Sequence, residues 1–161
     1  MRTDGSTSLY PFIGYAHRDV KPENVITFVD ALGAPDVKLI DFGLAYACSS
    51  LDGCKTLCGT YVYTAPEIRR GETYGYAVDM WALGVLIYAC ISGEMPACAS
   101  YQPTGPALDN CLEDECSVEV SLSDDARVFL CALLQPELGC RLTSAAAVSH
   151  VWLQKRARSS V

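Results

Sequence analysis

The chain of 161 residues carries 19 acidic against 12 basic residues, a net charge of −7 and a pI near 4.7, and half of it is apolar. That is enough apolar material for a buried core, and with charged residues at 19% it excludes a chain disordered along most of its length. The acidic balance argues against nucleic acid or an anionic membrane surface as the main partner and favours basic ones.

Residues 1–16 hold Gly5, Pro11 and Gly14 with no helical period, and read as an irregular, frayed segment. They show no apolar run ahead of a small-residue cleavage site, so the expectation is an intracellular protein, cytoplasmic or nuclear, in a reducing compartment. Val25–Val29 and Val37–Ile40 read as two short strands, with Gly33 and Pro35 turning the chain between them. An antiparallel hairpin there places Asn24, just before the first strand, and Asp41, just after the second, at the same open end. Residues 42–64 are small, polar and glycine-punctuated and read as a long surface loop, a kind of segment that is usually functional.

A short helical turn is expected at Glu67–Arg70, then a helix at Ala77–Ile91 that is apolar all round, with Gly84 allowing a neighbour to approach. At about 15 residues this run falls short of the ~20 needed to span a bilayer, and it reads as the enclosed centre of a helical domain. Residues 92–119 read as loop with at most short helical pieces; the acids Asp109, Glu113, Asp114, Glu115 and Glu119 make a solvated face or an attraction for basic peptides. Ser121 to Asp124 resembles a capping box opening a helix from Ser123 to Leu134, with Val128, Leu130, Cys131 and Leu134 inward. Thr143 caps a last helix from Ser144 to about Leu153, and 154–161 is a basic tail. The fold class is mainly α with a small β-hairpin.

The nine cysteines include no C-x-x-C pair, the closest spacings being Cys54/Cys58 and Cys111/Cys116, and both histidines, His17 and His150, lie far from those pairs in sequence. Scattered, mostly buried free thiols are expected. A cysteine-based zinc or disulfide module is the competing account.

The chemistry-bearing residues form an ordered set. His17-Arg18-Asp19 with Asn24 fits H-R-D-x-x-x-x-N, and Asp41-Phe42-Gly43 begins 17 residues after that asparagine. Gly59-Thr60, Tyr63 and Ala65-Pro66-Glu67 fit G-T-x-x-Y-x-A-P-E, Asp79, Trp81 and Gly84 fit D-x-W-x-x-G, and Arg141 follows Leu133-Leu134-Gln135-Pro136-Glu137. Five motifs in this order resemble the catalytic domain of protein kinases, of Ser/Thr type and nearest to the calcium/calmodulin-dependent and checkpoint-type groups.

The resemblance spans residues 17–153 and implies the large, C-terminal lobe of that fold, with a catalytic loop at 17–24 and an activation segment at 41–67. It implies transfer of the ATP γ-phosphoryl group to Ser/Thr hydroxyls of protein substrates, with Asp19 as base, Lys21 steadying the phosphoryl group, and Asn24 and Asp41 as oxygen ligands of Mg²⁺. Thr56 and Thr60 become candidate activation-loop phosphosites, Arg18 the partner of the added phosphate, and Glu23 a contact for an arginine of the substrate. His17, Glu67, Asp79, Trp81 and Arg141 take structural roles: His17 as a packed spine residue, Glu67 with Arg141 as a buried ion pair, Asp79 as the anchor of the catalytic loop.

The sequence departs from the family before His17, where it has no G-x-G-x-x-G and no lysine. The expectation is a lobe without its ATP-gripping partner, weakly active or inactive alone, with one face of Ala77–Ile91 uncovered. A truncated, noncatalytic binding or scaffold module that engages a kinase partner is the alternative. Neither nucleic acid nor membrane is expected as a partner.

Overall fold

The computed structural model describes residues 14–48, 53–100 and 122–158. Strand β1 (Tyr15–Ala16) precedes a 3₁₀ turn at Pro22–Asn24 and the hairpin strands β2 (Val25–Val29) and β3 (Pro35–Leu39). A 3₁₀ turn at Phe42–Leu44, strand β4 (Tyr46–Ala47) and a third 3₁₀ turn at Tyr61–Tyr63 lead to the helices. These are α1 (Pro66–Arg69), α2 (Ala77–Ser92), α3 (Ala97–Ser100), α4 (Asp124–Leu133), α5 (Ser144–Val148) and α6 (Val151–Arg158).

The hairpin is antiparallel in the register Val25↔Leu39, and the Ile40 N–H donates to the Asn24 carbonyl at 2.9 Å, so the pairing runs to the residues flanking both strands. Asn24 and Asp41 are thereby brought to one end, as expected. At the other end the turn closes around Asp30, whose carboxylate accepts from Leu32 and Ala34 N–H at 2.8 Å each, and Gly33 takes a φ of 83° that a side chain would resist.

Where the chain was expected to be irregular it is partly paired. Tyr15 and Ala16 of the N-terminal segment pair with Ala47 and Tyr46, and Cys54 bridges Tyr74, so the stretch 42–64 is tied down at Tyr46–Ala47 and at Cys54. Pairs this short carry no alternation in the sequence. Residues 1–13 and the acidic run 109–119 lie outside the described residues, as does Ser121.

Helix α2 packs on α4 through Gly84: a Cβ there would meet Leu133 and Leu134 side-chain carbons at 2.9 Å, which is why the close approach needs glycine. Enclosure is incomplete, however. Val78, Trp81, Ala82, Gly84 and Val85 are buried, but the helix from Leu86 onward is half-buried and ends with Cys90 and Ile91 exposed. The expected enclosed helix is thus corrected to one that is sealed in its first half only.

Helix α4 is capped by Ser123, whose hydroxyl accepts from Ala126 N–H at 3.3 Å. Its inward face is Ala126, Phe129, Leu130 and Leu133, with Leu134 beyond the last turn; Val128 is 58% exposed and Cys131 half-buried, correcting both as core residues. Thr143 caps as expected, accepting from Ala146 N–H at 3.2 Å, but the last helix is two helices. The chain breaks at Ser149–His150, where His150 Nδ1 accepts from Trp152 N–H at 3.2 Å and its ring packs on Phe129, and α6 then carries the basic stretch to Arg158 rather than fraying at 154.

Beneath these elements lies the Glu67–Arg141 pair. Arg141 Nη1 and Nη2 donate to the two Glu67 oxygens at 2.6 and 2.9 Å, with side-chain exposures of 0% and 1%. Arg141 also donates to the carbonyls of Gln135 and Ala77 at 2.8 and 3.1 Å, and its guanidinium lies 5.3 Å from the centre of the Trp81 ring. A buried carboxylate survives only when such bonds replace its water, and here they fasten α1 and α2 to the segment after α4. No disulfide joins the seven described cysteines, and three of them, Cys48, Cys54 and Cys98, are buried. Among the described residues no group of His, Cys, Asp and Glu could hold a metal as a cysteine-based module would.

Candidate active site at the open end of the hairpin

The loop 17–24 is held in a conformation it would not choose. Arg18 has a φ of 68°, and Asp41 a φ of 60°; they are the only residues other than glycine with positive φ among those described. For arginine this left-handed backbone is costly, whereas aspartate tolerates it better. The Asp79 carboxylate supplies the compensation, accepting from His17 N–H at 2.7 Å and Arg18 N–H at 2.9 Å. Burial pushes the Asp79 carboxyl above its ordinary value, against the opposing pull of those two N–H groups.

His17 is 4% exposed; its Nε2 donates to the Ile40 carbonyl at 2.9 Å, its Nδ1 accepts from Asp19 N–H at 3.3 Å, and Phe42 lies edge-on at 4.9 Å. Both ring nitrogens are therefore committed to backbone, which ties the loop to the end of the hairpin. Gly59 closes the site from the other side. It has a φ of 90°, and a Cβ on it would collide with the Arg18 carbonyl oxygen, so glycine alone lets residues 59–60 lie against the loop.

That approach delivers Thr60 to Asp19. Asp19 Oδ1 accepts from Thr60 N–H at 3.0 Å and from the Thr60 hydroxyl at 2.8 Å, while Oδ2 pairs with Lys21 Nζ at 2.8 Å and takes a longer bond, 3.2 Å, from Asn24 Nδ2. Lys21 also donates to the Thr60 hydroxyl at 2.9 Å. Burial alone would raise the Asp19 carboxyl, but the bonds from Lys21 and Thr60 outweigh it and hold it below the usual range. Lys21 is raised in turn, chiefly by its bond to Asp19. Beside Asp19 lies a cavity of about 10 Å³ between Thr60, Ala65 and Asp79, with room for no more than one water.

Asn24 is 5% exposed and donates to the Asp19 carbonyl at 2.8 Å, so its NH₂ is turned inward and its amide oxygen is the donor left for a cation. Asp41 is exposed and accepts from Gly43 N–H at 3.2 Å. One amide oxygen and one carboxylate at the same strand ends are hard donors suited to Mg²⁺ and poorly suited to softer metals, so the residues present fit that ion. Glu23 stands exposed between Lys21 and Asn24.

Arg18 turns away from Asp19: its Nε donates to the Leu44 carbonyl at 2.6 Å, and its Nη1 meets Cys54 Sγ at 2.9 Å and the Tyr74 hydroxyl at 3.3 Å. Thr56 is exposed, and its carbonyl accepts from the Tyr74 hydroxyl at 2.5 Å. Tyr74 and Cys54 thus join Gly59 in the site's frame, the first two without having been singled out in the sequence for it. Of the three only Gly59 carried a signal there, its place in the G-T motif.

Comparison with known proteins agrees with this geometry. The protein kinase domain family profile matches residues 12–153. The chain is 38% identical over 148 residues to smooth-muscle myosin light chain kinase of Gallus gallus, covering 88% of this chain and 8% of that protein. It is 33% identical over 162 residues to serine/threonine-protein kinase RAD53 of Saccharomyces cerevisiae, covering 88% and 19%, and 38% identical over 168 residues to human serine/threonine-protein kinase H1, covering 99% and 38%. The chain therefore spans less than two-fifths of the length of each of these relatives. It belongs to the protein kinase domain family and, within it, to the Ser/Thr kinases of calcium/calmodulin-dependent and checkpoint type.

Proposed function

We propose that residues 17–153 are the large lobe of a protein serine/threonine kinase catalytic domain, which transfers the ATP γ-phosphoryl group to hydroxyls of protein substrates. The observation that carries this reading is the bonding of one carboxylate, Asp19, to Lys21 and Thr60, beside the oxygen pair Asn24 and Asp41. Phosphoryl transfer asks little covalent chemistry of a protein and much positioning, which such a frame supplies.

Asp19 accepts the proton of the substrate hydroxyl. Its oxygens already receive four donors, and the weakest, Asn24 Nδ2 at 3.2 Å, is the one the incoming hydroxyl displaces most readily from Oδ2. Lys21, within reach of both Asp19 and Thr60, presents its positive charge to the transferring group. Mg²⁺, when bound, neutralises and aligns the ATP phosphates, and Asn24 and Asp41 would hold it. The sequence before His17 has no G-x-G-x-x-G loop to cover the ATP phosphates and no lysine to pair with them, so ATP binding by this span alone is weak. Thr56, exposed, is the phosphosite, with Arg18 as the partner of its phosphate; the Thr60 hydroxyl is already spent between Lys21 and Asp19. Glu23 faces solvent where a basic substrate residue would approach.

A noncatalytic module docking on a kinase partner is the second reading, and the exposed apolar side chains of the hairpin favour it: Val29 is 67%, Val37 60% and Leu32 92% exposed. Incorporation of labelled phosphate into a basic peptide, compared between the chain and its Asp19→Asn variant, separates the two. Mg²⁺-dependent incorporation that disappears in Asp19→Asn supports the kinase; no Asp19-dependent signal leaves the docking module.

A further inference from the structure

The two edges of the β2–β3 hairpin are finished differently. The bonds from Ile40 N–H to the Asn24 carbonyl and from Asp30 N–H to the Ala34 carbonyl fix the parity of the ladder: Ile26 and Phe28 turn their backbone groups towards β3, and Val25, Thr27 and Val29 turn theirs outward. The sheet stops at these two strands. On the outer edge of β3, Pro35 has no N–H, the Val37 N–H donates to the Asp36 carboxylate at 2.8 Å, and Lys38 follows. Proline and charge of this kind block the addition of a further strand.

Strand β2 has none of these devices. Its sequence, VITFV, holds neither charge nor proline, Thr27 and Val29 are exposed, and among the described residues nothing bonds to their N–H groups. Only the Val25 N–H is used, donating to the Pro22 carbonyl. What remains outward is a run of alternating partial charges: the Val25 carbonyl, then the N–H and carbonyl of Thr27 and of Val29. Reversed, that run is complementary to itself, as a two-fold contact requires. A strand pair is also marginal in water, and a third or fourth strand is what gives a sheet stability of its own.

We propose that the outer edge of β2 is a self-association site, on which a second copy of this chain lays its own β2 antiparallel about a two-fold axis at Thr27. The Thr27 N–H donates to the carbonyl of the partner's Thr27 and the reverse bond returns; the Val29 N–H donates to the carbonyl of the partner's Val25, again reciprocally. Four bonds result, made from groups that the hairpin leaves open. The Val29 carbonyl stays with solvent, because the Val25 N–H opposite it is committed to Pro22. Two hairpins become one four-stranded sheet, β3–β2–β2–β3, which closes at two copies because both of its ends are blunted β3 edges. Val29, 67% exposed, comes beside the partner's Val25, so apolar contact adds to the bonds. The inference goes beyond the kinase reading and does not depend on it.

Sedimentation of the whole chain from about 1 μM to 1 mM, the span of weak affinities, should show the mass rise from 17.4 kDa towards twice that and stop there. Each copy carries a net charge of −7, so added salt should strengthen the association by screening repulsion. Thr27→Pro deletes two of the four bonds at once and should weaken association by about 10-fold. Because proline can bend the strand, Thr27→Lys is measured beside it: the backbone is kept, like charges meet at the axis, and association should fall by about 5-fold. Val37→Lys, the charge-matched control on the blunted edge, should not weaken it. Amide exchange at Thr27 and Val29 should slow as concentration rises, and far less so at Ile26 and Phe28, which already bond to β3. A mass fixed at 17.4 kDa, growth past the dimer, association that salt weakens, or Thr27 variants that associate as the parent chain does would each overturn the proposal. So would Val37→Lys dissociating the dimer as strongly as Thr27→Lys, which would put the contact on the apolar face of the hairpin instead of the β2 edge.

Discussion

Asp19–Lys21 and Glu67–Arg141 are both carboxylate–cation pairs, closed at 2.8 and 2.6 Å, one in the loop part of the molecule and one in the helical part. In the helical part Glu67 meets Arg141 through two parallel bonds, sealed at 1% and 0% exposure under Trp81. In the loop part Asp19 and Lys21 keep 12% and 21% exposure and share their bonds with Thr60 and Asn24. The first arrangement tolerates no exchange of partners, because any lost bond leaves a bare charge away from water. The second holds the same charges where a substrate group can replace one donor with another. Burial, not the identity of the pair, divides scaffold from site.

Removing charge from each pair should break the comparison differently. The largest effect on function is expected from Asp19→Asn: phosphate transfer to a basic peptide falls by about 10²–10⁴-fold, the usual weight of a positioned base, while thermal unfolding moves little. The sign of its pH dependence follows from the lowered Asp19 carboxyl. The fold favours the ionised form, so its contribution to stability is present above the ordinary carboxylate range and is lost as pH falls through the lowered value. An acid limb of the rate profile set by Asp19 therefore lies below that range, and a limb at pH 6–7 would assign it elsewhere.

Arg141→Met should cost about 3–5 kcal/mol in urea unfolding, by stranding Glu67, and abolish function only through unfolding. A loss under ~1 kcal/mol would mean that water reaches the pair. Gly84→Ala, at the α2–α4 contact, should cost about 1–3 kcal/mol by overpacking against Leu133 and Leu134. At the small end stands Glu72→Gln, which breaks the surface pair of Arg70 and Glu72, 33% and 50% exposed, and should shift stability by less than about 1 kcal/mol.

What the sequence made legible was mostly the loop part. Spacing around the hairpin located Asn24 and Asp41 together because an antiparallel register leaves no other choice, and the ordered motifs named His17, Asp79 and Gly59-Thr60, which the structure brings to one loop. The helical part was harder. On α4 the stretch is apolar on more than one side, so Val128 and Cys131 competed with Ala126, Phe129 and Leu133 for the inward face, and only the packing on α2 decided. No periodic signal marked the break at Ser149–His150, which depends on His150 reaching Phe129. The Cys54–Tyr74 bridge joins residues 20 apart with no pattern between them, and with it the whole surround of Arg18 was invisible.

The stacking of Arg141 over Trp81 also has an optical consequence. The chain has two tryptophans: Trp81, 2% exposed, and Trp152, half-buried against Phe129 at 5.0 Å. An indole under a guanidinium in a dry core and one at a partly wet helix surface emit at different wavelengths. The blue component of the protein's intrinsic fluorescence thus reads the state of the Glu67–Arg141 anchor directly, and the red component reads the docking of α6, with no label added.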